Sequence, residues 1–329
     1  MARAAPSRPA SAIGNEPAAA ATSEPGAPSA RSGFHVPRAA VVLIAAITVL
    51  WGLNWPAMKV AVGEVSPWTF RAICVFISAP GLLGFAVLAG ERRLPARHLW
   101  PPLLLMSSLG ITGWFLFSAF GLQHIEGGRG AIVSYTMPVW AALMSAVYLG
   151  ERLDARRLSA LALGMLGIAV LIGPDLVAFG SSPLGPLLMT GAAICWAGGT
   201  VMLKSRDWSM GIVALTGWQV LIGGLPIVLV WLVLEPRPDF SRLTWQGGLG
   251  IFYASTVALI FCMAAFNKVV TLLPATAAAI STLAIPIVGL LSSAWLLGEP
   301  AGWRELAALC LVLGGMALVL VPRRQARTS

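Results

Sequence analysis

The feature that most constrains this chain is the recurrence of long apolar runs. Ten of them, near residues 39–62, 67–90, 99–121, 130–149, 157–173, 184–204, 209–234, 245–267, 272–297 and 304–321, are separated by short polar breaks. A helix rises about 1.5 Å per residue, so about 20 apolar residues cross the roughly 30 Å of bilayer hydrocarbon. No water reaches that layer, so spanning backbone must pair its own N–H and C=O groups, as helices or as a closed barrel. A barrel would show alternating segments of about ten residues, and none occur. The expected fold is therefore an all-α polytopic membrane protein with ten transmembrane helices. Only 11% of the residues are charged, against about a quarter in a soluble domain.

The net charge of +9 could point to nucleic acid or an anionic lipid surface, but its placement points to topology. With the N-terminus cytoplasmic, most cations fall on the inner side, among them Arg92, Arg93, Arg97, Arg152, Arg156, Arg157, Lys204, Arg206 and Lys268. The outer loops keep only Arg129, Arg237, Arg242 and Arg304. This is the positive-inside pattern. Both termini are expected to be cytoplasmic, with the bilayer rather than nucleic acid as the partner surface. Residues 1–37, rich in Ala, Pro, Ser and Gly, read as a disordered cytoplasmic tail with no signal peptide. Residues 323–329 read as a short basic cytoplasmic tail. All four cysteines lie inside apolar runs and read as small core residues. No disulfide framework, metal-ligand spacing or cofactor motif is present.

An internal repeat divides the chain. SYTMPVWAALMSAVYLGERL (134–153) aligns with TLAIPIVGLLSSAWLLGEPA (282–301), Pro138 over Pro286 and Glu151 over Glu299, and the same offset puts Gly167 over Gly315. WGLNWPAMK (51–59) aligns with WAGGTVMLK (196–204), Trp51 over Trp196 and Lys59 over Lys204. The units are residues 38–174 and 183–322, five helices each. Five is odd, so the second unit enters the membrane inverted, and the loop charges agree: GERLDARR (150–157) is basic, whereas GEPAGWRE (298–305) is not. In transporters built this way the substrate sits near the midplane where the halves meet.

The WGLNWPAMK opening, the Tyr-Thr-Met-Pro run ending in Leu-Gly-Glu, the Gly-containing fifth helix and their second-half counterparts resemble the EamA family of the drug/metabolite transporter superfamily. The resemblance covers about residues 39–321. It implies ten helices in two inverted repeats, cytoplasmic ends, and export of small metabolites or drugs. The second half departs from the first in one place, with Gly198-Gly199 where Leu53-Asn54 stand, so the halves are expected to contribute unequally to a cavity.

Polar groups inside apolar runs mark candidate sites. Asn54 lies about 12 Å below the outer end of the first helix, where a buried amide needs a partner. Pro56 removes a donor from the Gly52 carbonyl. Together they read either as a local hydrogen-bonding repair or as a helix break lining a cavity. Trp51 and Trp55 share a face, for packing or for substrate contact. Lys59 and Lys204 read as snorkelling anchors. Arg71, one turn into the second helix, is expected to snorkel, to pair with Glu64, or to bind an anionic substrate group. Trp114, Gln123, Tyr135, Trp140, Trp196, Trp218, Gln219 and Tyr253 complete an aromatic, hydrogen-bonding set with little fixed charge. Such a set suits an amphipathic metabolite, a zwitterionic amino acid or a cation.

All thirteen acidic residues lie in the tail, in loops or at helix ends. A membrane-embedded carboxylate of the kind proton-coupled pumps use is therefore lacking, and His124 and Glu126 are the nearest relay candidates. Glu151 and Glu299 are expected to cap the following helix or to pair with loop arginines. Pro56, Pro138 and Pro286 are hinge candidates for alternating access. Runs such as Gly164 to Gly167 and Gly314-Gly315 permit close helix contact. No HExxH, nucleophile elbow or aspartate cluster is present, so no enzyme is expected. The expected function is export of small metabolites, amino acids or related solutes, by alternating access. Efflux of drugs or cationic solutes is the alternative, and a non-transporting sensor or assembly subunit is a third. The Ala, Arg and Gly bias points to a bacterial cytoplasmic membrane.

Overall fold

The computed structural model describes residues 38–91, 94–148, 155–177, 183–235, 237–266 and 284–320. They form α1 (Arg38–Glu64), α2 (Pro67–Leu88), α3 (Arg97–His124), α4 (Gly127–Tyr148), α5 (Ala155–Val177), α6 (Leu184–Lys204), α7 (Ile212–Leu234), α8 (Trp245–Phe266), α9 (Ile285–Leu297) and α10 (Trp303–Leu320). No strand occurs among the described residues. Seven helices, α1 to α4 and α6 to α8, are long and apolar enough to cross a membrane, and shorter apolar stretches occur at Leu158–Leu171 and Ile285–Leu297. The first twelve residues of the run read at 272–297 lie outside the described residues.

Helix ends show how the helices run. Glu91, beyond the C-terminal end of α2, accepts the Ala214 N–H in the first turn of α7 (2.7 Å). Glu235, beyond the C-terminal end of α7, accepts from the Ser66 hydroxyl and from the Thr69 hydroxyl (2.7 Å) at the start of α2. Each carboxylate thus meets the donor-rich N-terminus of the other helix, and α2 and α7 are antiparallel. A Cβ at Gly167 of α5 would lie 3.2 Å from the Ala308 carbonyl of α10, and one at Gly315 would lie 2.9 Å from the Ala160 carbonyl. Glycine at both places lets these antiparallel backbones touch. α3 and α6 cross as closely, with Gly110 against Gly199 and Gly113 against Cys195.

Long helices here are locally irregular. α3 carries a π segment at Ser108–Gly113, and α8 carries one at Tyr253–Cys262. Pro80 and Pro226 lie inside α2 and α7. Pro56 is buried within an unbroken α1. α4 is interrupted: Gly127–Ser134 and Met137–Tyr148 are separate helical pieces with a turn at Tyr135-Thr136. Pro138 and Pro286 therefore do not kink continuous helices. Each sits at the second residue of a helical piece, where its N–H would have no acceptor within that piece.

The buried core runs through the helices' facing sides, with Phe70, Phe115, Leu82, Leu122, Ile132 and Met189 among its largest fully buried side chains. The outward sides expose Leu, Val and Phe, as a lipid-facing surface must. Trp245, Trp295 and Trp303 stand exposed at one end of α8, α9 and α10. Amphipathic rings at that level anchor a helix bundle at a membrane interface. Cys74 and Cys262 are buried and Cys195 half-buried, but Cys310 is exposed on α10, so it is not a core residue.

Candidate functional site

α1 is stitched to α8 by two reciprocal bonds. The Trp51 indole donates to the Ala258 carbonyl (3.0 Å), and the Tyr253 hydroxyl donates to the Leu50 carbonyl (2.8 Å). Ala258 lies in the π segment, where the shifted hydrogen-bond pattern releases carbonyls from their usual i+4 donors. Trp51 also packs against Phe266 (centroids 5.6 Å apart), and Tyr135 of α4 packs on the same cluster with Ile47 and Ile285.

A second aromatic series joins α1, α3 and α6. Trp55 meets Trp114 edge-on (6.4 Å), and Trp114 meets Trp196 (5.1 Å). Trp55 is buried against Gly289 of α9, where a Cβ would come within 2.9 Å of its ring. Beside it on α1, Asn54 Nδ2 donates to the Met58 sulfur (2.9 Å), while the buried Asn54 Oδ1 has no hydrogen-bond partner among the described residues. Of the two expected roles for Asn54 and Pro56, a helix break does not occur there. The Gln219 amide of α7 lies against Gly110 in the α3 π segment, 2.7 Å from where a Cβ would be.

The structure thus gathers Trp51, Asn54, Trp55, Trp114, Tyr135, Trp196 and Tyr253 around α1, α3, α4, α6 and α8. It does not gather the rest. Trp140 donates to the Thr136 hydroxyl one turn away (3.1 Å), and Trp218 stacks edge-on against Trp100 (5.7 Å) in a separate cluster. Gln123 and His124 are exposed at the end of α3, Gln123 donating to the Val62 carbonyl (3.3 Å). Glu126 is 3.6 Å from Arg129.

Arg71 departs from two of its three expected roles. It is only 2% exposed, so it does not snorkel, and Glu64 instead accepts from Thr244 at the start of α8. Its guanidinium donates to the Phe115 carbonyl (2.9 Å) and the Ser118 hydroxyl (2.6 Å), with the Phe70 and Phe115 rings 4.7 and 4.6 Å away. A planar cation with five donors and weak hydration fits such a slot. Arg71 therefore ties α2 to α3.

Lys59 also departs from its reading. Its ammonium donates to the Leu122 and Ile125 carbonyls (2.7 and 2.8 Å), which end α3 and lack helical donors. Glu299 caps not the helix after it but α4, accepting the Gly127 and Gly128 N–H groups (2.8 and 2.9 Å). Arg129 bridges to the buried Glu305 of α10 (2.9 Å). These charges stitch α1, α3, α4, α9 and α10 at one end of the bundle. Local sequence rules cannot pair residues more than 60 positions apart, so reading the chain missed them. Glu151 lies outside the described residues. In the loop before α8, the Ser241 hydroxyl and N–H hold the exposed Asp239 carboxyl below its ordinary range. Among the described residues no three His, Cys, Asp or Glu side chains come together as a metal site.

Comparison with known proteins places this architecture. The model of the EamA-like transporter family matches residues 38–173 and again 183–321. The chain is 27% identical over 282 residues to "Uncharacterized transporter YvbV" of Bacillus subtilis (strain 168), covering 84% of this chain and 90% of that one. It is 25% identical over 294 residues to the "Probable amino-acid metabolite efflux pump" of Salmonella typhimurium, covering 86% of this chain and 95% of the relative. A solved crystal structure, 19% identical, matches with a TM-score of 0.61 over 85% of this chain and 95% of its own, a likeness of fold.

Proposed function

Because the chain belongs to the EamA-like transporter family, and is thus a multi-pass membrane protein rather than an enzyme, we propose that it exports small metabolites across a bacterial cytoplasmic membrane. The substrates are amino acids or related amphipathic solutes. The carrier has ten spans in two inverted five-helix repeats, cytoplasmic termini, and alternating access between the halves.

The observation that carries this reading is the exchange relation among helix contacts. α2 packs on α7 and α5 on α10, each on its own counterpart in the other half. The α1–α8 contact is mirrored by α6–α3, and α1–α9 by α6–α4. The Gly167–Ala308 and Gly315–Ala160 approaches are related by one shift of 148 residues. The π segments of α3 and α8, Pro80 and Pro226, and the Pro-started pieces of α4 and α9 obey nearly the same shift. The two separate family matches support the same division. Two like halves packed about a pseudo-two-fold axis can exchange conformations, which is what alternating access needs. Arg97, Lys204 and Arg206 lie at the end opposite Glu299, in support of an inner face there.

The aromatic series where the halves meet supports an amphipathic substrate, and the name of the Salmonella relative supports an amino-acid metabolite. The test is metabolite profiling of spent medium from cells overexpressing the chain, against empty vector. One or a few solutes rise outside, and Asn54→Ala or Trp196→Ala lowers the rise at unchanged protein level. No change in any solute with correctly inserted protein refutes export.

A further inference from the structure

The break in α4 takes helical donors away from several carbonyls and leaves the Ser134 hydroxyl without a partner among the described residues. In a continuous helix each carbonyl accepts the N–H four residues on. Here the Thr136 N–H donates to Val133 (3.1 Å), so Ile132 loses its donor. Pro138 has no N–H to give Ser134. The Val139 N–H donates to Thr136 (2.9 Å), so Tyr135 loses its donor as well. Ile132 and Ser134 are fully buried, and the Ser134 hydroxyl has no hydrogen-bond partner among the described residues. Buried oxygens without donors are costly, and this set offers acceptors rather than fixed donors.

The break lies at the depth of the tryptophans. α4 runs parallel to α6, since Gly130 packs towards Met189 and Met144 towards Gly198. Interpolating along these contacts sets Tyr135-Thr136 at a depth within about one helical turn of Trp196. The C-terminal end of Gly127–Ser134 adds the negative pole of a helix dipole. Carbonyls, a negative helix end and aromatic faces all favour a cation, and every carboxylate of the chain lies in the tail, in loops or at helix ends.

We infer that the break in α4 holds the ammonium group of the substrate, through the Ile132 and Ser134 carbonyls and the Ser134 hydroxyl, at a depth about one to two helical turns from Trp196. This rests on reading the chain as an exporter, and it narrows the substrate class to solutes bearing a protonated amine. An alkali cation shares the carbonyl chemistry, so the test separates the two.

The purified full chain is titrated with phenethylamine, with 3-phenylpropionate and with sodium chloride, following tryptophan fluorescence and the thermal midpoint. Phenethylamine binds and 3-phenylpropionate does not. Ser134→Ala weakens phenethylamine by about tenfold, the scale of one charge-assisted hydrogen bond. Pro138→Ala, which returns an N–H to the Ser134 carbonyl, weakens it in the same sense, whereas Gly84→Ala, in open space on α2, leaves it unchanged. Equal binding of both organic probes, binding of neither, a Ser134-dependent response to sodium alone, or indifference to Ser134→Ala overturns the inference. Export is scored separately in cells. Solute efflux without amine discrimination would remove this site and leave the exporter, while Ser134-dependent amine binding without efflux would do the reverse.

Discussion

Adjacent glycines on α10 are expected to respond to alanine with opposite signs. Gly315 faces α5, and a Cβ there would sit 2.9 Å from the Ala160 carbonyl, with Gly164 N and Leu163 Cβ each at 3.5 Å. The first of these neighbours is backbone, so relief requires two helices to part, and overpacking of this kind costs about 1–3 kcal/mol. Gly314, one residue earlier, would place its Cβ 3.7 Å from the tip of Leu163, an ordinary contact. There Gly→Ala recovers helix propensity of up to about 1 kcal/mol. Both substitutions gain that propensity, so the two variants should differ by the overpacking, about 1–3 kcal/mol in stability. The assay is unfolding of the purified protein in one detergent, by thermal midpoint and by denaturant, with both variants prepared in parallel. Gly167→Ala serves as the counterpart, since its Cβ would meet Val312 Cγ2 at 2.9 Å and the Ala308 carbonyl at 3.2 Å. If Gly315→Ala is as stable as Gly314→Ala, the antiparallel register of α5 and α10 is wrong, and with it a main support for the inverted pairing.

Three further outcomes are expected. Arg71→Ala removes two hydrogen bonds and the body filling the slot between two phenyl rings, so folded protein recovered from membranes should fall with a loss of about 2–5 kcal/mol. Unchanged yield with abolished transport of carboxylates would instead make Arg71 a substrate ligand. Glu299→Ala strips both acceptors from the start of α4 and should cost about 1–2 kcal/mol, with Glu299→Gln in between; a midpoint equal to the parent's for Glu299→Ala would deny the cap any role. Trp51→Phe keeps the ring against Phe266 but deprives the Ala258 carbonyl of its indole donor, a loss of about 0.5–1.5 kcal/mol to be read by thermal scan against Trp51→Leu, which should cost more.

Much of the candidate site was legible in the chain, and what was not has physical causes. Trp51, Trp55, Trp114 and Trp196 stood out because large amphipathic rings inside apolar runs are few; the last three form one contact series, and Trp51 packs on Phe266 a turn away along α1. Arg71 stood out by its cost, yet its role depended on which helix lay beside it. A cation that could reach water by snorkelling looks the same in sequence as one wedged between Phe70 and Phe115. Pro56 and Pro138 also look alike in sequence, since each sits in a long apolar run. α1 continues through the first, whereas α4 breaks before the second.

The sequence by itself determined the membrane class and the all-helical build, because hydrophobic length is a property of the chain read in order. Only the tertiary structure decided which helix ends exchange charges and where π segments release their carbonyls. Glu91 to Ala214, Glu299 to Gly127 and Lys59 to Leu122 each join residues far apart in the chain. Such partners are chosen by packing, which places an unsatisfied helix end beside the nearest group able to satisfy it.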